Sequence, residues 1–344
     1  MPELALLVIV IAAAIGFGIV NGFNDAANSI AASIGSRALS PRNAIILAAF
    51  CTFAGAATGL EVAKTIGKGI LLPEAILYET LFAGLAAVIV WVTVATRYGL
   101  PVSSTHSLVA GLAGAGIAVA GGTEAIQWRV MQPVLLSVFT APVLGFIGGF
   151  AIMVVLLWAF RRSAPARIRA IFSRLQWLTT AFLAYSLGKN NGQMPIGIIA
   201  MALVIYYRRI GRFGQAATVW DEIAIGDGLW WVIVISSLAI SLGTAAGGWR
   251  VIKTVGFKIT ALQPIHGFAC DFSAATVIEI ASRLGIPVSS SHCATAAVIG
   301  VGATRRLSAV RWGVTRNIVL AWILTFPACG ALGWVIASAL KAAF

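Results

Sequence analysis

The chain has 344 residues, 60% of them hydrophobic and only 10% charged, with a net charge of +13 and a mean hydropathy of +0.95. A soluble domain carries about 25% charged residues, so this composition excludes a water-soluble globular protein and reads as an all-α integral membrane protein. The basic residues are scattered between apolar runs rather than gathered in one stripe with interleaved aromatics, which argues against nucleic acid and for lipid head groups and topology.

Apolar runs of spanning length recur at Leu4 to Val20, Ile45 to Leu60, Leu81 to Val94, Val134 to Phe160, Leu229 to Leu242 and Ile318 to Leu340. Frequent Gly and Ala without period-two alternation read as helices. The first run has the length of a signal peptide but neither a basic flank nor a small-residue cleavage site, so it is read as a retained helix. It leads into Asn21-Gly22-Phe23-Asn24-Asp25-Ala26-Ala27-Asn28-Ser29. Gly beside Asn and Asp in mid-membrane predicts an unwound helix, where free amides bind an anion and oxygens bind a cation. The plainer role for Asp25 is a helix cap near the interface. Val62-Ala63-Lys64-Thr65-Ile66-Gly67 follows, with Lys64 read as an anchor at a helix end, and then Glu79.

Pro101-Val102-Ser103-Ser104-Thr105-His106 places Pro where a helix starts and hydroxyls directly after it. First-turn amides and hydroxyls converge there as neutral donors suited to a tetrahedral oxyanion, whereas ordinary N-capping accounts for one hydroxyl per helix. Arg161, Arg162, Arg167, Arg169 and Arg174 then form a basic connecting segment, 161–174, placed in the cytoplasm by the positive-inside rule between halves at 1–160 and 175–344.

In the second half Gly188-Lys189-Asn190-Asn191-Gly192-Gln193 stands where the first half has its Gly-Phe-Asn-Asp motif. Lys189 has three open roles: neutralising a bound anion, pairing with Asp25 across the halves, or snorkelling to water. Val251-Ile252-Lys253-Thr254-Val255-Gly256 repeats the Lys-Thr landmark. Asp271 and Glu279, eight residues apart, share one helix face; joining a cation site and pairing with Lys or Arg are both open to them. Pro287-Val288-Ser289-Ser290-Ser291-His292 repeats the hexapeptide, and Arg305, Arg306, Arg311 and Arg316 form a second basic, cytoplasmic stretch.

Three landmarks in the same order in both halves indicate an internal duplication. His106 and His292 are the repeated histidines, read either as satisfied structural donors or as proton carriers. Cys51, Cys270, Cys293 and Cys329 are isolated in apolar sequence, without the spacing of a disulfide framework or a metal site. There is no nucleophile elbow, P-loop or carboxylate pair, so catalysis and an organic cofactor are not expected.

The chain resembles the inorganic phosphate transporter (PiT) family through Gly22-Phe23-Asn24-Asp25-Ala26-Ala27-Asn28, Arg37-Ala38-Leu39-Ser40-Pro41-Arg42, Ala63-Lys64-Thr65-Ile66-Gly67, both Pro-Val-Ser-Ser hexapeptides and Gly300-Val301-Gly302-Ala303-Thr304-Arg305-Arg306. The resemblance implies two inverted-topology repeats, each with a broken first helix and a re-entrant helical hairpin. It implies secondary active transport of phosphate coupled to Na⁺ or H⁺ in the inner membrane of the cell, and a homo-oligomer is expected. Carried over by position, Asn24, Asp25 and Asn28 belong to the first broken helix, Asn190, Asn191 and Gln193 to the second, and Ser103, Ser104, Thr105, Ser289, Ser290 and Ser291 to the hairpin tips. Asp25, Asn28, Gln193 and Asp271 are the candidate ligands of a coupling Na⁺. The family's His-Gly-Ala-Asn-Asp is Leu187-Gly188-Lys189-Asn190-Asn191 here. That exchange suggests that the Lys189 ammonium replaces one coupling ion, and it keeps a sulfate permease as the alternative. An anion sensor and a passive anion channel are the remaining readings.

Overall fold

The computed structural model describes residues 3–67, 69–212 and 228–343. Thirteen α-helices are found among them. The first half holds α1 (Glu3–Gly35), α2 (Pro41–Ala56), α3 (Glu61–Gly67), α4 (Tyr78–Tyr98), α5 (Ser104–Ala120) and α6 (Trp128–Ala159). The second holds α7 (Pro165–Asn191), α8 (Gln193–Arg209), α9 (Trp230–Ala246), α10 (Trp249–Lys253), α11 (Pro264–Arg283), α12 (Ser290–Ala303) and α13 (Trp312–Ala343). Helices α1, α4, α6 and α13 are long and apolar enough to cross a bilayer, and the bent pairs α2–α3 and α9–α10 raise the number to 6. The six apolar runs of the sequence fall on these six elements. The protein is an all-helical, multi-pass membrane protein.

The breaks fall elsewhere than the motif at Gly22 predicts. Helix α1 runs unbroken for 33 residues through Asn24 and Asp25, because it contains no proline and its Ala-rich turn after Asp25 keeps the helical ladder intact. In the second half α7 does stop, at Asn191. Pro195 offers no N–H to the Asn191 carbonyl and its ring crowds that oxygen. The freed carbonyl accepts instead from Asn21 Nδ2 at 3.3 Å. The sharp bends lie in the second span of each half, 63° between α2 and α3 and 57° between α9 and α10. The segment 161–174, read as a connection, is helical from Pro165 onward, where Pro at the first helical position starts α7.

Glycines set how the halves interlock. A Cβ on Gly22 of α1 would overlap the Ile240 carbonyl of α9, and one on Gly243 of α9 would overlap the Ile19 carbonyl of α1. The same crossing recurs between α7 and α2, where Gly188 faces the Thr52 carbonyl and Gly55 the Tyr185 carbonyl. Backbone-to-backbone contact of this kind is the small-residue packing of membrane helices. Gly22→Ala therefore forces two rigid backbones apart and is expected to cost about 1–3 kcal/mol, read as a lower unfolding temperature in detergent. Gly313→Ala is the control, since nothing lies within 4 Å of a Cβ there.

Candidate functional site

Each hexapeptide links two helices into a hairpin, α4 to α5 and α11 to α12, and one Asn from each half pins each hairpin. Asn24 on α1 donates to the Val102 carbonyl at 3.0 Å and accepts from Thr96 Oγ1 at 3.1 Å. Asn190 on α7 donates to Ser282 Oγ at 3.0 Å and to the Ile286 carbonyl at 3.4 Å. Thr96 and Ser282 were not singled out in the sequence, though their equal spacing ahead of Pro101 and Pro287 was a readable signal.

The two tips touch. Thr105 Oγ1 donates to the Val288 carbonyl at 3.2 Å, and Ser291 Oγ donates to the Val102 carbonyl at 2.8 Å. Ser103 and Ser289 are the N-caps of α5 and α12, accepting from the backbone amides of His106 at 3.1 Å and His292 at 3.2 Å. Capping thus accounts for the first hydroxyl of each hexapeptide and leaves the other two for other work. Ser104 Oγ is buried without a hydrogen-bond partner among the described residues.

Asp25 sits beside the tips at the centre of a ring of amides and hydroxyls. Asn28 Nδ2 donates to Asp25 Oδ1 at 2.8 Å and to Ser291 Oγ at 2.7 Å. Asn191 Nδ2 donates to Asp25 Oδ2 and, at 2.7 Å, to Ser290 Oγ. All five residues are buried, with Asp25 only 4% exposed. A carboxylate held by neutral donors alone in a low-dielectric interior is costly, and a cation beside it removes that cost. The N-termini of α5 and α12, with the Ser104 and Ser290 hydroxyls, offer the complementary anion-binding groups. The site therefore presents anion donors and a cation acceptor within one cluster.

The histidines lie behind the tips. His106 Nε2 is 3.2 Å from Ser137 Oγ, and its ring centroid is 5.0 Å from that of His292. His292 stacks on Trp322 at 4.1 Å, whose indole donates to the Pro101 carbonyl at 2.9 Å.

Three candidates stand apart from the ring. The Lys189 ammonium is held by Glu279 at 2.8 Å, and Arg283 Nε shares the same oxygen at 2.7 Å. Neither the pairing with Asp25 nor snorkelling describes it, because a carboxylate on α11 lies within reach. Gln193 is engaged at the α2–α3 bend, where its Oε1 accepts from the amides of Val62 at 2.9 Å and Ala63 at 3.2 Å. With Nε2 on the Thr58 carbonyl at 3.2 Å, its amide acts as a cap for α3 rather than as a ring ligand. Asp271 is buried between α11 and α7, accepting from Thr180 Oγ1 at 2.9 Å.

The family model described as the phosphate transporter family matches residues 21–333. A probable low-affinity inorganic phosphate transporter of Rhizobium meliloti is 39% identical over 328 residues, covering 95% of this chain and 94% of that protein. One of Bacillus subtilis is 35% identical over 332 residues, covering 96% of each. A solved structure described as the sodium-dependent phosphate transporter superposes with a TM-score of 0.86 at 27% identity, covering 99% of this chain and 100% of that one.

Proposed function

The chain belongs to the phosphate transporter family, and from that premise we propose that it is a secondary carrier of inorganic phosphate driven by Na⁺. The observation that carries the reading is the buried ring in which Asp25 is bound through Asn28 and Asn191 to Ser291 and Ser290 of the second hairpin. In this reading the phosphate oxygens take the donors of Ser104, Ser290 and the first-turn amides, and those of Thr105 and Ser291 once these hydroxyls turn from the Val288 and Val102 carbonyls. Asp25 provides the charge for the coupling cation and an acceptor for the proton that hydrogenphosphate carries and sulfate lacks.

Na⁺ is favoured over H⁺ because carboxylate, amide and hydroxyl oxygens form a hard donor set. The similar solved structure is also described as sodium-dependent. The halves are read as inverted: with α4, long enough to cross, taken together with α5 as a hairpin that returns to its own side, α1, α2–α3 and α6 leave three crossings, an odd number, so the second half enters from the opposite face. The recurring glycine crossings support that reading. By the positive-inside rule the basic ends face the cytoplasm, which fits a carrier of the inner membrane.

Radiolabelled phosphate and sulfate uptake into proteoliposomes, with Na⁺ and pH gradients imposed separately, tests the proposal. Phosphate is expected to accumulate under an inward Na⁺ gradient alone, and sulfate is not. Lys189→Ala is expected to keep the same Na⁺ dependence, since that ammonium is engaged by Glu279 rather than by Asp25. Flux that ignores both gradients would identify a passive channel, and binding without flux a sensor.

A further inference from the structure

The basic stretch after α12 takes no part in the site described above. Its counterpart in the first half is defined by a backbone bond that occurs twice: Gln127 N donates to the Ile70 carbonyl at 2.8 Å, and Arg311 N donates to the Ile259 carbonyl at 2.9 Å. After Ile70 comes Leu71, 2% exposed, which fills the space over Gly116. After Ile259 comes Thr260, which with Val310 lies over Gly302 in the same way. Around that shared frame the first half has Leu71, Val119, Ala120 and Gln127, whereas the second has Thr260, Arg305, Arg306 and Arg311. An uncharged corner in one half is a basic pocket in the other.

The pocket is a cavity of ≈ 420 Å³ lined by Thr260, Arg305, Arg306 and Arg311 together with Ala261 and Ala309. Thr260 is 3% exposed, and among the described residues its hydroxyl has no hydrogen-bond partner. Among the described residues the ion pairs are Lys189–Glu279, Arg209–Glu3 and Arg283–Glu279, so no carboxylate pairs with the three arginines. Among the described residues the one hydrogen bond their guanidiniums make is Arg311 Nη1 to the Phe257 carbonyl at 3.4 Å. Three cations around one cavity repel each other unless an anion enters, and guanidinium forks match phosphate oxygens.

We propose that this pocket binds a phosphate group, with Thr260 as the neutral donor and Arg305, Arg306 and Arg311 as the charge. An acidic phospholipid head group and free inorganic phosphate share that chemistry. The surroundings favour the lipid: exposed Phe257, Leu307 and Trp312 flank the pocket, and the Trp312 indole donates to the Leu307 carbonyl at 2.9 Å. That is the aromatic anchoring of a membrane boundary beside a basic pocket.

The test uses the full chain and two variants, Thr260→Val and the double variant Arg305→Gln with Arg306→Gln. Phosphate uptake in neutral lipid serves as the folding check, since none of these residues belongs to the Asp25 ring. Native mass spectrometry after reconstitution in mixed phosphatidylcholine and phosphatidylglycerol reads lipid retention. Selective retention of phosphatidylglycerol by the native chain, reduced about tenfold in both variants, is the expected result. Thr260→Val separates a built pocket from general attraction between basic protein and acidic membrane, because it removes no charge. In nanodiscs of phosphatidylcholine alone, equilibrium binding of radiolabelled phosphate separates the sources. One more phosphate bound per native chain than per Thr260→Val chain assigns the pocket to free phosphate. If the variants match the native chain in both lipid retention and phosphate binding, the proposal is overturned.

Discussion

Asp25→Asn is expected to lower concentrative phosphate uptake by about 100-fold or more while leaving the protein folded. Both carboxylate oxygens accept hydrogen bonds, one from Asn28 at 2.8 Å and the other from Asn191. An asparagine offers one oxygen and one NH₂, so one of those two amide donors would face another donor. Hydrogen bonds to a charged group are worth about 1.5–3 kcal/mol each, and about 1.4 kcal/mol is a factor of ten in rate. The loss of the negative charge adds to this, because no other carboxylate takes part in the ring. Initial rates in proteoliposomes at matched incorporation measure the effect, with unfolding temperature as the check on fold. A carrier of sulfate would tolerate the change, since its substrate has no proton for Asp25 to accept. Unchanged phosphate uptake in the variant would falsify the role given to this residue.

The two hairpin tips were legible because they are written locally. Each landmark is a short string, and the pairing of Ser103 with His106 and of Ser289 with His292 is set by three-residue spacing alone. The helix breaks were less legible. The Gly-Phe-Asn-Asp string at Gly22 suggested unwinding, but that glycine is required by the approach of Ile240 from a helix more than 200 residues away. Pro195, the residue that interrupts α7, is an ordinary helix breaker and was readable on its own terms. The partner of Lys189 was not readable in this way. Glu279 is 90 residues distant in sequence, and only the packing of α11 on α7 brings the two together. The plainer reading of Glu279, pairing with a Lys or Arg, is what the structure has. Gln193 illustrates the same limit: its type suited a cation ligand, but the bent span beside it presents two unsatisfied helix-start amides that claim its oxygen.

Asn191→Asp is expected to change the ion requirement of the carrier more than its substrate. Counting from Gly22 and Gly188, Asn191 is the second-half equivalent of Asp25, and the two side chains are in direct hydrogen-bond contact. The substitution replaces a donor with a carboxylate against a carboxylate. At about 3 Å and an effective dielectric constant of about 20, two such charges repel by about 5 kcal/mol. The ring tolerates that only with a further cation between them, by the rule that two carboxylates sharing a site do not both stay ionised and uncompensated. The amide that now donates to Ser290 at 2.7 Å is lost as well, so that hydroxyl turns to donate to the introduced carboxylate and is withdrawn from the anion. Uptake at saturating phosphate should therefore need more Na⁺, with a Hill coefficient for Na⁺ higher by about one, and the phosphate concentration for half-maximal rate should rise. Initial rates measured across a Na⁺ series for the native chain and the variant decide the matter. If the Na⁺ dependence keeps its slope and midpoint, the charge of this ring does not set the number of coupling ions, and that number must be fixed by residues outside it.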